Sequence, residues 1–166
     1  MIVQVVNHMK PEKSNYCNVV NVICTGLLLG MFIFLFLFWK RIPEQVPAHF
    51  NAAGEVDRWS GKYSLFMVPA MTLLLYAFIS LAERYPEVWN TGVRVTPGNR
   101  NFVYRVIRYL IVTTRLFMVA TFTYITVNTA LAQRLPGWFL PVDLILVFGS
   151  ILFFIIWLYR GSRKRR

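Results

Sequence analysis

The chain has 166 residues, which is within the length of a single domain, but its composition is not that of a soluble protein. Hydrophobic residues make up 57% of it and charged residues 15%, whereas soluble domains contain about a half and about a quarter. The surplus of apolar side chains must face something apolar. The formal net charge of +11 could indicate nucleic-acid binding, but the basic residues lie mostly at the ends of apolar runs and in the C-terminal tail. That distribution is typical of membrane topology, so no nucleic-acid partner is predicted.

Four apolar runs are each long enough to cross a bilayer as a helix. A helix rises 1.5 Å per residue, so about 20 apolar residues span a hydrocarbon core of about 30 Å. We therefore predict a single all-α integral membrane domain over residues 1–166. Its four transmembrane helices are expected at about 19–39, 63–82, 106–132 and 139–159. The intervening segments are an outer loop at 40–62, an inner loop at 83–104 and a basic tail at 160–166.

The distribution of Lys and Arg predicts which side of the membrane each segment faces. With the N-terminus inside, the outer segments hold five basic residues and the inner segments hold twelve: Lys10, Lys13, Arg84, Arg94, Arg100, Arg105, Arg108 and the five of the tail. Positively charged segments are retained in the cytoplasm during insertion. Both termini are therefore expected in the cytoplasm, and the 40–62 loop is expected outside.

The first apolar run is predicted to be a retained helix. It ends in Phe-Trp-Lys-Arg without the small-residue site at which a signal peptide is cleaved. It carries Gly26 and Gly30, a spacing that lets another helix backbone come close. The pattern favours a helix of the same chain as that neighbour, with a second copy as the alternative. Cys17 and Cys24 lie two helical turns apart, too far to form a disulfide within one helix, and are expected to be structural.

The third run has polar residues in its apolar stretch. Arg115 lies near the middle of the bilayer, where a cation facing lipid costs on the order of 3 kcal/mol. Thr114, Thr121 and Asn128 recur every seven residues and so share one side of the helix, with Arg115 beside them. These groups could line a polar pathway. They could instead hold helices together, with Arg115 bonded to carbonyls or a carboxylate, which is the favoured interpretation. Asp143, in the fourth run, is expected to lie too far away to pair with Arg115.

The outer loop combines Pro, Gly, His, Asn and acidic residues. Pro43 and Pro47 keep its first half extended, because each fixes its own φ and disfavours helix in the residue before it. Residues 51–54 predict a turn in which Gly54 can take a positive φ. Trp39 and Trp59 are expected to pin the two ends of the loop to the membrane surface.

The same loop contains residue types that could carry chemistry. His49, Glu55 and Asp57 could offer three ligands, but zinc sites usually need a second His or a Cys, and no such pattern is present. The sequence also contains no Walker loop and no dinucleotide fingerprint. We therefore predict no metal, no cofactor and no enzymatic activity. The side chains of His49, Asn51, Asp57 and Lys62 are expected to bond to groups within the loop.

The loop resembles a known family over about residues 39–70. Its hallmark is IPxHFNxxGxxDxWxxK followed by a proline in the next helix, and the matching residues here are Ile42, Pro43, Val46 to Asn51, Gly54, Asp57, Trp59, Lys62 and Pro69. This uncharacterised bacterial membrane domain forms the N-terminal half of SdpI-type immunity proteins. Those proteins protect a producer from its own secreted peptide toxin and can signal by holding a repressor at the membrane. The resemblance implies a short stand-alone member in the bacterial cytoplasmic (inner) membrane.

The resemblance also implies a function. SdpI-type proteins have a second membrane half with an Asn-rich, Gly-x-Arg loop, to which residues 90–94 are only loosely similar. For this chain, the resemblance implies a non-enzymatic protein that recognises an extracytoplasmic peptide or stress. Its binding candidates are Pro47, His49, Phe50, Asn51, Gly54, Asp57, Trp59 and Lys62. The alternative is an accessory or scaffold subunit of a larger membrane complex. The expected partners are the lipid bilayer, a peptide toxin or a complex subunit, and a second copy of the chain.

Overall fold

The computed structural model describes residues 14–165 and contains four long α-helices with a β-hairpin between the first two. The helices are α1 (Asn15–Phe38), α2 (Met67–Arg84), α3 (Arg100–Ala130) and α4 (Phe139–Arg163). The strands are β1 (Gln45–Phe50) and β2 (Val56–Gly61), and short 3₁₀ segments cover Trp39–Arg41, Lys62–Phe66 and Pro86–Val88. Three basic residues used in the orientation prediction lie outside the described residues: Lys10, Lys13 and Arg166.

All four helices are long and apolar enough to cross a membrane. The candidate spans contain between 23 and 31 residues, where about 20 are needed. Large apolar side chains point away from the protein, among them Phe36, Ile145 and Phe148, which are between 64% and 83% exposed. Such exposure is unfavourable in water and normal in lipid. The prediction of four helices long and apolar enough to cross a membrane is confirmed, and the chain is mostly helical.

Helix α3 lies at the centre of the bundle and contacts each of the other three helices. Helix α1 runs parallel to it, because Cys17 packs with Val112 at one end and Leu35 packs with Ala130 at the other. Cys17 and Cys24 are buried and free, and both lie in this helix interface. The thiols therefore serve as small packing groups.

Helix α4 runs antiparallel to α3. Phe139 at its start stacks on Tyr124, with ring centroids 4.8 Å apart, and Trp157 near its end meets Phe102 at 6.0 Å. We call the end of the bundle that carries the hairpin the hairpin end. The opposite end, where α1 begins and α4 finishes, is the tail end.

Three of the four helices are longer than their apolar stretches, so several predicted bounds were wrong. Helix α1 begins at Asn15, α3 begins at Arg100 and α4 ends at Arg163, each several residues beyond the predicted bound. Hydropathy marks only the part of a helix that is immersed, and polar turns continue past it. Helix α2 instead begins late, at Met67, after a 3₁₀ segment. Pro69 is its third residue, in the first turn, where proline removes no helical hydrogen bond.

The chain is not helical throughout. Strands β1 and β2 pair antiparallel, with Gln45 opposite Gly61, Pro47 opposite Trp59 and Phe50 opposite Val56, and the register shifts around His49. The extended conformation that Pro43 and Pro47 predicted for the first half of the 40–62 loop is present as strand β1. Pairing with residues 56–61 was not predicted, because that segment is short and charged and lacks the apolar alternation that indicates a strand.

Candidate functional site

The turn of the hairpin is organised by Asn51. Its side-chain oxygen accepts hydrogen bonds from the backbone N–H groups of Ala53 and Glu55, both at 3.0 Å, and its amide nitrogen donates to the Glu55 carboxylate at 3.1 Å. The backbone N–H of Gly54 also donates to the Asn51 carbonyl at 2.9 Å. Asparagine is suited to this position because its short side chain can satisfy nearby backbone donors in a turn.

Gly54 joins the turn to the helical bundle. Its φ is +82°, and its carbonyl accepts a hydrogen bond of 2.8 Å from the backbone N–H of Leu135, in the connection between α3 and α4. A Cβ atom at Gly54 would collide with the Leu135 carbonyl. Glycine is therefore required both for the backbone conformation and for the close approach of a second backbone.

His49 and Asp57 form the polar pair of the hairpin. The His49 Nδ1 and Asp57 Oδ1 atoms lie 2.7 Å apart, and the two side chains are 53% and 45% exposed. The pair links β1 to β2 where the register shifts. Exposed pairs of this kind contribute little to stability, so the pair orients the two side chains more than it holds the hairpin together.

Lys62 fixes the base of the hairpin. Its side chain is 8% exposed, and its ammonium group lies 4.8 Å from the centroid of the Trp39 ring and 3.9 Å from the Glu44 carboxylate. Trp39 stacks in turn on Phe66, with centroids 5.0 Å apart. The cation is thus held over an aromatic face, which stabilises it where water is scarce. Trp59 lies opposite Pro47 and is half exposed.

A groove separates the hairpin from the bundle. It has a volume of about 470 Å³, and we call it the hairpin groove. Its walls are mainly apolar, and His49 and Asn51 add polar groups to them. The apolar lining residues come from the hairpin (Ala48, Phe50 and Ala52) and from the bundle (Ile125, Leu135, Phe139 and Leu140). An apolar cavity with a few polar groups is the usual form of a small binding site.

Arg115 faces α1 and α2. Its side chain is 2% exposed, and its guanidinium group forms an ion pair of 3.0 Å with the Glu83 carboxylate. It also donates to the Ser80 hydroxyl at 2.8 Å and to the side-chain oxygen of Asn21, and it lies 5.2 Å from the centroid of the Tyr76 ring. The polar groups around Arg115 therefore join three helices.

The other polar residues of α3 face elsewhere. Thr121 donates a hydrogen bond to Asp143 of α4, and Asn128 donates to the Tyr124 carbonyl of its own helix at 2.8 Å. Asp143 is thus paired with Thr121, while the carboxylate beside Arg115 is that of Glu83. The predicted stripe does not form one continuous polar surface with Arg115.

Sequence reasoning missed Glu83, Ser80 and Asn21. Glu83 was assigned to the inner loop because charge and proline follow it, but it belongs to the last turn of α2 and is 9% exposed. It is the one acidic residue of that helix, which is a signal that could have identified it. Ser80 and Asn21 carry no comparable signal, since single polar residues are common in such helices.

Two further predictions concern metal and helix packing. Within residues 14–165 there is no group of three His, Cys, Asp or Glu side chains able to hold a metal ion. Gly26 and Gly30 are exposed, and a Cβ atom on either would meet nothing within 4 Å in the described part of the chain. The interpretation that they pack against a helix of the same chain is therefore not supported.

Comparison with known proteins finds similarity around the hairpin. Residues 26–73 match a family described as "Domain of unknown function (DUF1648)". That stretch includes the end of α1, the whole hairpin and the start of α2, and so all eight binding candidates of the loop.

A curated relative from Archaeoglobus fulgidus, described as "Uncharacterized protein", is 33% identical over 78 residues. The match covers 42% of this chain and 41% of the relative, so the chain spans about two fifths of that protein's length. No solved structure matches the chain. The structure thus combines a region similar to the DUF1648 domain, which carries the hairpin, with a bundle of four helices long and apolar enough to span a membrane.

Proposed function

We propose that this protein is a non-enzymatic membrane protein, similar to SdpI-type immunity and signalling proteins, that binds an extracytoplasmic peptide in the hairpin groove. The observation that carries the proposal is the groove itself. It lies between the hydrogen-bonded turn of the hairpin and the apolar ends of α3 and α4.

The lining of the groove fits a peptide that is partly apolar. Each methylene group buried there stabilises a complex by about 0.8 kcal/mol, and His49 and Asn51 offer polar groups for the peptide backbone. The two residues are themselves held by Asp57 and Glu55, so little ordering is needed on binding. A membrane-active peptide would present such apolar segments at the surface of the bilayer.

The proposal requires the hairpin end to face outward. The excess of basic residues in the inner segments supports this orientation, with both termini in the cytoplasm of a bacterial cell. Cysteine labelling tests it in intact cells, with Cys17 and Cys24 replaced by Ala. A membrane-impermeant maleimide should label Arg58→Cys, in the hairpin, but should label Arg105→Cys, at the tail end, only after the cells are broken.

The function is tested in the native host by deleting the gene. The deletion strain should become more sensitive to material secreted by sibling cells or to membrane-active peptides. Wild-type protein should restore resistance, whereas Leu140→Trp, which fills the groove, should not. Ile145→Trp is the matched control, because Ile145 is on the same helix but is 70% exposed and lies outside the groove. Unchanged sensitivity after deletion would exclude the proposal.

A second candidate function is that of an accessory or scaffold subunit in a larger membrane complex. The open face around Gly26 and Gly30 favours it, because close helix packing at small residues is a common mode of association in membranes. Purification in mild detergent should then yield a partner or a second copy. Gly26→Ile with Gly30→Ile should remove it, whereas Gly149→Ile, at an equally open glycine of α4, should not. A monomer without a partner would count against this function.

A further inference from the structure

A second cavity, unrelated to the hairpin groove, lies between α1, α2 and α3 toward the tail end. Its volume is about 610 Å³, and we call it the arginine cavity. Three arginines, Arg84, Arg108 and Arg115, line it together with one carboxylate, Glu83. The described lining of the cavity thus includes three guanidinium groups and one carboxylate.

Glu83 contacts two of the three arginines. One of its oxygens lies 2.9 Å from Arg108 Nε, and the other lies 3.0 Å from a terminal nitrogen of Arg115. Both carboxylate oxygens are thus engaged, and Glu83 is 9% exposed. Arg84 is exposed at the same cavity and pairs with no carboxylate within residues 14–165. The Arg84 guanidinium is therefore available to an anion that enters the cavity.

Arg115 also has an unused donor. Its side chain is only 2% exposed, and its Nε atom has no hydrogen-bond partner among the described residues. A buried N–H group without a partner usually indicates a bound water, ion or ligand. Together with the exposed Arg84 cation, this atom indicates that the cavity is suited to a hydrogen-bond acceptor that carries negative charge.

The position of the cavity fits a ligand from the membrane surface. Tyr109, next to Arg108, lies 6.3 Å from Trp157 between ring centroids, and Trp residues of membrane helices lie at the level of the lipid headgroups. Arg108 is therefore at headgroup depth, and Arg115 is about two turns deeper. Guanidinium groups bind phosphate through paired, charge-assisted hydrogen bonds.

We propose that the arginine cavity binds a phosphate-bearing anion through Arg84, Arg108 and Arg115. The phosphate diester of an anionic lipid and free phosphate share this chemistry, and the test separates them. Binding of this anion does not depend on the peptide-binding function proposed for the hairpin groove.

The experiment measures thermal unfolding of the full chain in an uncharged detergent at constant ionic strength. Phosphatidylglycerol, phosphatidylcholine and inorganic phosphate are titrated separately. We expect phosphatidylglycerol or inorganic phosphate, the two acidic probes, to raise the midpoint temperature of unfolding. Phosphatidylcholine, which is zwitterionic, should raise it much less. Arg84→Gln should weaken the apparent affinity about tenfold, as the loss of a charge-assisted contact does. Arg105→Gln is the matched control, because Arg105 is an exposed arginine at the same end that does not line the cavity.

If phosphatidylglycerol alone stabilises the protein, the ligand is a lipid. If inorganic phosphate also stabilises it, and Arg84→Gln weakens that stabilisation about as much, the ligand is a soluble anion. The proposal is overturned if neither acidic probe stabilises the protein, or if Arg105→Gln weakens binding as much as Arg84→Gln. Arg115→Gln would also break the pair with Glu83 and destabilise the fold, so the test is based on Arg84.

Discussion

The hairpin end and the tail end hold their polar side chains in different ways. In the hairpin, His49 pairs with Asp57 and Asn51 with Glu55, so the partners are eight and four residues apart and exposed. At the tail end, Arg115 reaches Glu83 and Asn21, which belong to other helices, and all three side chains are largely shielded. Local, exposed pairs shape a surface at little gain in stability, whereas the buried network connects three helices and is costly to break at one partner.

The largest effect is expected from Glu83→Gln, which sharpens this comparison at the tail end. The change removes the carboxylate shared by Arg108 and Arg115, and so removes the ion pair of the buried Arg115. Removing one partner of a buried ion pair costs about 3–5 kcal/mol. Unfolding in detergent should show a loss of that size.

Glu87→Gln is the control for this change, because Glu87 is an exposed acidic residue at the same end. It should leave the free energy of unfolding nearly unchanged. Equal effects of the two substitutions would mean that net charge, and not the buried network, determines stability at the tail end.

A smaller effect is expected from Gly54→Ala, which breaks the contact between the hairpin and the bundle. Alanine at φ +82° is strained, and its Cβ would collide with the Leu135 carbonyl. Strain of this kind costs about 1–3 kcal/mol. Hydrogen exchange of residues 45–61 should become faster while exchange in the centres of the four helices is retained.

Gly61→Ala is the matched substitution, since Gly61 has open space around it and no positive φ. It should leave exchange in the hairpin unchanged. If Gly54→Ala left exchange unchanged as well, the contact with Leu135 would not hold the hairpin in place.

The smallest effect is expected for the His49–Asp57 pair. Because both side chains are about half exposed, a double-mutant cycle with His49→Ala and Asp57→Ala should give a coupling energy below about 1 kcal/mol. The same variants should have a larger effect on peptide binding if the groove has the proposed function. A coupling energy of several kcal/mol between His49 and Asp57 would mean that polar pairs stabilise the hairpin end as strongly as the tail end.

Much of the fold could be predicted because it depends on local properties of the chain. A run of about 20 apolar residues has few alternatives to a membrane helix, so all four helices were placed, though the polar turns beyond them were not. The turn at 51–54 was also predicted, since Asn51 and Gly54 favour it through their own side-chain and backbone properties. The strand pairing was not, because it depends on hydrogen bonds between segments whose own patterns are weak.

The sequence by itself thus determined the number of helices, their apolar cores and the turn of the hairpin. Only the tertiary structure decided which groups meet: Arg115 with Glu83, Thr121 with Asp143, and Gly54 with the Leu135 backbone. Those partners are between 22 and 81 residues apart, as the differences in their numbers show. Apolarity and turn propensity act over a few neighbouring residues, whereas the partner of a buried charge is chosen by how the helices pack.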